Sequence, residues 1–228
     1  MSDTTNRRAR EARAAVRCVF VVCSVGIAVA LVVVFAATVA ANLHAAEGWR
    51  SLFNGKDLAG WHLRKSDGPN GWTVVDGEYV NRPPSTDIQT DQEFYNFDLH
   101  VEFKVMPGAT GNSGVYMRDK YEIQILDSYG KPPAPDGCGA LYRKIAPASN
   151  ASKAVGEWQI FDMHFVGRRL TLLHNGQKVL DDVDVGPMGT GQAGQRPDGP
   201  GPLRLQGDHE AVAFRNVRIR PLESPPTP

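Results

Sequence analysis

The stretch Asn112–Asp127, N-S-G-V-Y-M-R-D-K-Y-E-I-Q-I-L-D, holds two short runs in which apolar and polar residues alternate. Side chains on a strand point to opposite faces in turn, so such alternation marks a half-buried strand. Val115 and Met117 share one face, Tyr116 and Arg118 the other; Ile123 and Ile125 face a core, Glu122 and Gln124 the opposite side. Asn112, Ser113 and Gly114 supply turn chemistry ahead of the first run. An Arg, a Tyr, a Glu and a Gln on adjacent strands form a wall of hydrogen-bonding groups on a rigid support. A sugar-binding or sugar-cleaving cleft needs such a wall.

The same alternation recurs along the chain. Trp72–Val80 reads as a hairpin with Asp76-Gly77 at its tip, and Ile88–Glu93 as a short edge strand. In Phe97–Val105, Leu99, Val101, Phe103 and Val105 point inward. Trp158–Phe165, a hairpin turning at Asn175-Gly176, and strands over Leu203–Gln206 and Val212–Ile219 complete the set. Two Gly/Pro-rich loops interrupt it, Ser128–Val155 and Gly186–Gly201. Loops of that length in a compact domain are usually functional or disordered. No helical period of useful length appears, so the pattern predicts an all-β sandwich or barrel.

Ahead of this domain, Arg7, Arg8, Arg10, Arg13 and Arg17 precede a charge-free apolar run from Cys18 to Ala41, and small residues follow. Residues 1–45 therefore read as a secretory signal or, at about 24 apolar residues, as a retained membrane anchor. Either implies export, to a bacterial periplasm or cell envelope, with membrane contact only through this segment. The domain spans 46–222 and a Pro-rich tail follows at 223–228. Without the five leader arginines and the leader acids Asp3 and Glu11, 20 basic and 23 acidic residues remain. That balance excludes a nucleic-acid footprint. No protein partner is evident. Cys138 is the one cysteine after the leader, so no disulfide forms within the domain.

Seven short motifs then occur in order: L-F-N-G-K-D-L-A-G-W, N-S-G-V-Y-M-R, Y-E-I-Q-I-L-D, G-A-L-Y, G-E-W-Q, N-G-Q-K-V and L-Q-G-D-H-E-A-V-A-F-R-N-V-R-I. Together they resemble the 3-keto-disaccharide hydrolase domain family over about Trp49–Leu222. The resemblance implies a concanavalin/laminin-G-like jelly roll of two antiparallel sheets. It also implies action on 3-keto-glycosides, by hydrolysis or by elimination at carbon 1. Gln159, where relatives usually carry Asn, and the additional Gly207 before Asp208-His209 depart from the family pattern.

A ketone at carbon 3 acidifies the carbon 2 proton, so the chemistry requires a base, a stabiliser of the enolate oxygen and a proton donor. Glu122 is the carboxylate expected as base, with a structural pair to Arg118 as its alternative. Arg118 is expected to polarise the keto oxygen, and His209 to act as acid–base group. Tyr116, Gln124, Tyr142, Gln206, Glu102, Lys104 and Trp158 are candidate sugar contacts, although a solvated face suits Glu102 and Lys104 and core packing suits Trp158. One divalent ion held by Glu122, Asp127 or His209 would suit an enolate, but the spacing does not establish it. Two other functions fit the fold: a lectin-like glycan-binding module, and a retaining glycosidase built on the E-I-Q-I-L-D run. The latter needs two carboxyls about 5–5.5 Å apart, and here Gln124 replaces the middle acid and the last acid is the shorter Asp127.

Overall fold

The computed structural model describes residues 48–190 and 198–223. The leader expected over 1–45, and the tail beyond Glu223, lie outside them. Among the described residues no helix is long and apolar enough to cross a membrane.

Among the described residues the domain is all-β, and thirteen strands, numbered in chain order, form two antiparallel sheets. The larger sheet runs β11 (Gln177–Asp184), β10 (Arg169–His174), β9 (Gln159–Val166), β6 (Phe97–Val105), β13 (Val212–Pro221), β4 (Glu78–Asn81), β3 (Trp72–Val75), with β1 (Arg50–Ser51) paired to β13. The smaller runs β2 (Trp61–Leu63), β5 (Ile88–Phe94), β12 (Gly201–Leu205), β7 (Ser113–Met117), β8 (Tyr121–Ile125). The inner faces meet in one core. Leu99, Val101, Phe103, Phe161, Phe165 and Phe214 from the larger sheet face Ile88, Val115, Met117, Ile123, Ile125, Leu203 and Leu205 from the smaller. Each such side chain contributes about 1.5–3 kcal/mol on leaving water, which fixes the register, because a one-residue slip would turn the whole set outward.

The hairpins form where turn residues predict them. Asp76-Gly77 and Asn175-Gly176 all adopt positive φ, the geometry that matches strand twist in tight hairpins. Ile88–Phe94 is not an edge strand. It lies between β12 and the three-residue β2, whose W-H-L is too short to announce itself as a strand. Midway along β13, Asn216 takes φ 49 at a register shift. Asn216 and Arg215 both hydrogen-bond Glu102 on the neighbouring strand, at 2.6 and 2.7 Å, and so fasten the bulge.

The Ser128–Val155 loop has a structural job at β8, the last strand of the smaller sheet. Its 139–142 segment lies along that edge: Gln124 N–H donates to the Ala140 carbonyl, Gly139 N–H to the Gln124 carbonyl, and Tyr142 N–H to the Glu122 carbonyl, at 2.9–3.0 Å. The free backbone groups of an edge strand are thereby paired. Glu122 N–H is satisfied separately by the Thr190 hydroxyl at 2.7 Å.

Candidate active site

Because Val115, Ile123, Leu203 and Leu205 point into the core, their neighbours Tyr116, Glu122, Arg204 and Gln206 emerge together on the outer face of the smaller sheet. A cavity of about 550 Å3 opens there. Asp87 enters just ahead of β5, Tyr142 ends the segment laid along β8 with Arg143 directly after it, and Asp208 and His209 follow β12.

Glu122 is the centre of the floor. It is only 3% exposed, and burial raises its pKa to about 7, while the Tyr116 hydroxyl and the charges of Arg204 and His209 pull the other way. Next to it the Gln124 amide faces two oxygens, Glu122 Oε1 and the Ser113 carbonyl. Its nitrogen therefore sits on that side and donates to them at 3.2 and 3.1 Å. Gly114 pairs with Gln124 across the β7–β8 ladder, and a Cβ there would stand 2.6 Å from Glu122 Oε1. Glycine at 114 is thus what lets the carboxyl lie flat on the sheet.

Arg204 is 5% exposed and spread over the Tyr116 ring, its guanidinium carbon 3.3 Å from the ring centroid. One terminal nitrogen donates to Asp87 Oδ2 at 2.6 Å. Nε lies 2.6 Å from Asp119 Oδ1, within ion-pair distance but outside hydrogen-bonding geometry. Two carboxylates so compensate a buried cation that would otherwise be costly. The other oxygen of Asp87 accepts the Gly207 N–H at 3.0 Å. One acid therefore ties the floor arginine to the loop carrying His209. His209 Nδ1 pairs with Asp208, which leaves Nε2 for a ligand. Gly207 itself is enclosed: a Cβ would lie 2.7 Å from both the Thr86 carbonyl and the Trp72 ring. Burial also raises the Tyr116 pKa, with the Glu122 charge adding to it, so this phenol stays protonated and able to donate.

The profile described as the 3-keto-alpha-glucoside-1,2-lyase-like domain matches residues 48–220. The chain belongs to that family. Two candidate glycosyl hydrolases from Parabacteroides distasonis ATCC 8503 resemble this 3-keto-alpha-glucoside-1,2-lyase-like domain in structure. One is 31% identical with a TM-score of 0.65, over 77% of this chain and 84% of that chain. The other is 26% identical with a TM-score of 0.66, over 78% and 96%. The Crh5 transglycosylase in complex with NAG shares the fold at 12% identity and a TM-score of 0.52, over 77% and 85%. Among curated proteins, none matches. The family and these relatives make the domain a carbohydrate-active enzyme or module, with a glycan as its ligand.

Of the residues singled out from the sequence of this family member, Glu122, His209, Tyr116, Tyr142 and Gln206 line the cavity. Gln124 is buried beside Glu122 without lining it. Arg118 is elsewhere. It begins the Arg118–Lys120 link between β7 and β8 with φ 57, and that backbone turn ends the strand alternation. Its guanidinium, 1% exposed, lies 4.1 Å from the ring centroids of Tyr95 and Phe165 and donates to the Tyr95 and Gly167 carbonyls at 2.8 and 2.7 Å. Arg204 is the arginine beside Glu122, and the Glu122–Arg118 pair is not formed. Glu102 and Lys104 lie on β6 of the larger sheet, and Trp158 directly precedes its strand β9. Lys104 pairs with Glu78 at 3.2 Å, and both Lys104 and Arg215 lie over the Trp158 ring, 4.4 and 4.0 Å from its centroid. These three are half-buried on the larger sheet's side of the sandwich, away from the cavity, and Trp158 is not in the core.

Asp127 does not line the cavity. Its N–H donates to the Thr110 carbonyl and its own carbonyl accepts from Lys131, as befits a strand end. Among the described residues no three His, Cys, Asp or Glu side chains converge as a metal site. Of the three donors expected for a divalent ion, Glu122 and His209 share the cavity and Asp127 is apart. Sequence reasoning missed Arg204, Asp87, Arg64, Lys65 and Arg143. For Arg204 a signal was available, since it alternates with Leu203 and Leu205.

Proposed function

We propose that the cavity takes a 3-keto-glycoside and cleaves its carbon 1 bond by proton abstraction at carbon 2. The observation that carries this reading is Glu122: a buried carboxyl poised near neutrality, flanked by Arg204, Tyr116 and His209. The Glu122 carboxylate removes the carbon 2 proton. The C–H electron pair moves toward the carbon 3 oxygen, and Arg204, held by Asp87, donates to the enolate from its other terminal nitrogen. The enolate then re-forms the ketone as the pair moves into a carbon 1–carbon 2 double bond and the carbon 1–oxygen bond breaks. The leaving oxygen takes its proton from His209 Nε2. Water added across the double bond gives net hydrolysis; without it the product is the elimination product. Tyr116, Tyr142 and Gln206 orient the ring. A divalent ion, if one takes part, would have Glu122 and His209 as ligands and would supply further charge at the enolate oxygen. A retaining double displacement fits less well, since Asp127 stands outside the cavity and Gln124 is an amide. The protein would work after export, in the periplasm or cell envelope.

The test is incubation of the protein with matched glucosides and 3-keto-glucosides in deuterated water, with and without chelator. Aglycone release from the keto substrates alone, with deuterium at carbon 2 of the hydrated product, is the expected result. Cleavage of the unoxidised glucosides would overturn it in favour of a glycosidase. Binding without cleavage of either would leave a glycan-binding module.

A further inference from the structure

The cations lining the cavity are not all paired, and the unpaired ones have a location. Arg204 on the floor is matched by Asp87 and Asp119. Asp119 also holds Arg64, at 3.5 Å, so that carboxylate serves two arginines. Asp208 is taken up by His209. Two lining cations remain, Lys65 and Arg143, and among the described residues neither has a carboxylate within ion-pairing distance. Both are exposed.

Their positions in the fold bracket the cavity mouth. Lys65 follows β2, one edge strand of the smaller sheet, whereas Arg143 directly follows the segment laid along β8, the other edge. Arg143 is also held in an uncommon conformation. Its φ is 56, in the left-handed region that glycine occupies without cost, and its N–H is fixed to the Pro135 carbonyl at 2.8 Å. Its guanidinium carbon lies 5.1 Å from the centroid of the Tyr142 ring, another cavity wall. A neutral sugar calls for donors and acceptors in balance. Two uncompensated cations from opposite edges instead create a positive field over the opening and draw in an anion.

We infer that the glycoside bound here carries a negative charge outside the reacting ring, as a carboxylate, sulfate or phosphate on the leaving group, read by Lys65 and Arg143. This rests on the proposed reading of the cavity as a 3-keto-glycoside site. The floor cation is already paired and the unpaired cations are the exposed ones, so the charge belongs on the part of the substrate that projects outward.

The test compares phenyl 3-keto-glucoside with 4-carboxyphenyl 3-keto-glucoside, by turnover and by calorimetric binding, at low and high salt. The wild-type protein should favour the carboxylated compound on the order of tenfold in kcat/KM or in Kd, given two exposed charge contacts, and high salt should shrink that preference. Lys65→Gln/Arg143→Gln should abolish the preference, the carboxylated compound losing on the order of tenfold more than the neutral one, with circular dichroism reporting the fold. Equal handling of the two compounds, or a preference that survives in the double variant, overturns the inference. So does a charge preference seen only with phenyl 3-keto-glucuronide, which would place the anion on the ring. If neither compound is cleaved, the proposed reaction fails, and binding still decides the charge question: tighter carboxylate binding lost in the double variant supports it, while absence of binding to both compounds overturns both.

Discussion

Glu122→Gln should make the protein more stable and, on the proposed mechanism, inactive, with the gain in stability depending on pH in a defined way. The folded carboxyl titrates at about 7 against an ordinary value of 4.5. Below pH 4.5 it is protonated in folded and unfolded chains alike, and ionisation costs nothing. Between 4.5 and about 7 the unfolded chain releases the proton while the folded chain keeps it, so stability falls as pH rises. Above about 7 both are ionised and the full cost remains, on the order of 3 kcal/mol from the size of the shift. Glutamine preserves the shape over Gly114 and an acceptor for the Gln124 amide, but carries no charge. The stability difference between variant and wild type should therefore be near zero at pH 4, grow through pH 5–7, and level off at pH 8. For a domain of this size about 3 kcal/mol corresponds to roughly 6–12 °C in Tm. Thermal melts of both proteins across that pH range read it directly, and titrations of groups not coupled to Glu122 cancel in the difference. A difference that does not change with pH, or one that grows toward acid, would refute the argument that Glu122 is a desolvated carboxyl. Loss of turnover by about 10²–10⁴-fold should accompany the stabilisation.

Two further substitutions separate scaffold from site. Arg118→Met removes a buried cation and strands the Tyr95 and Gly167 carbonyls; urea denaturation should show a loss of about 2–5 kcal/mol, with kcat/KM of the remaining folded protein within about twofold. Activity lost without a change in stability would return Arg118 to the site. Gly207→Ala forces a methyl against the Thr86 carbonyl and the Trp72 ring; denaturation should show a loss of about 1–3 kcal/mol, and KM should rise, because Asp208 and His209 move with the backbone.

Most of the architecture was legible because the core is built by alternation. Leu99, Val101, Phe103 and Val105, or Ile123 and Ile125, can face only one way, so Glu122 and Tyr116 follow onto the opposite face by parity. The errors have physical causes. Parity holds only inside a strand, and Arg118 lies one residue past the end of β7, where a positive φ redirects it. A sandwich has two outer faces that read identically in sequence. Glu102 and Lys104 point outward as their pattern requires, but from the larger sheet. Asp87 sits after Pro83-Pro84-Ser85-Thr86, where no period marks it, and Lys65 and Arg143 stand on irregular backbone. Only the fold brings these loops to one opening. Gly207, which departs from the family pattern, has a reason visible in the packing: the chain passes the Trp72 indole too closely for any side chain.

The segment laid along β8 is at once a wall of the cavity and the covering of a sheet edge. Selection for a different ligand would act first on such a loop, since loops change more freely than strands. Here that freedom is curtailed. Shortening or re-aiming the 139–142 segment to reshape the cavity would uncover the backbone of β8, including the Glu122 carbonyl that Tyr142 N–H now occupies, and offer it to another chain. Specificity and solubility are coupled through one run of main-chain hydrogen bonds. Altered ligand preference should therefore evolve more readily through side-chain exchange at positions 142 and 143 than through changes in loop length.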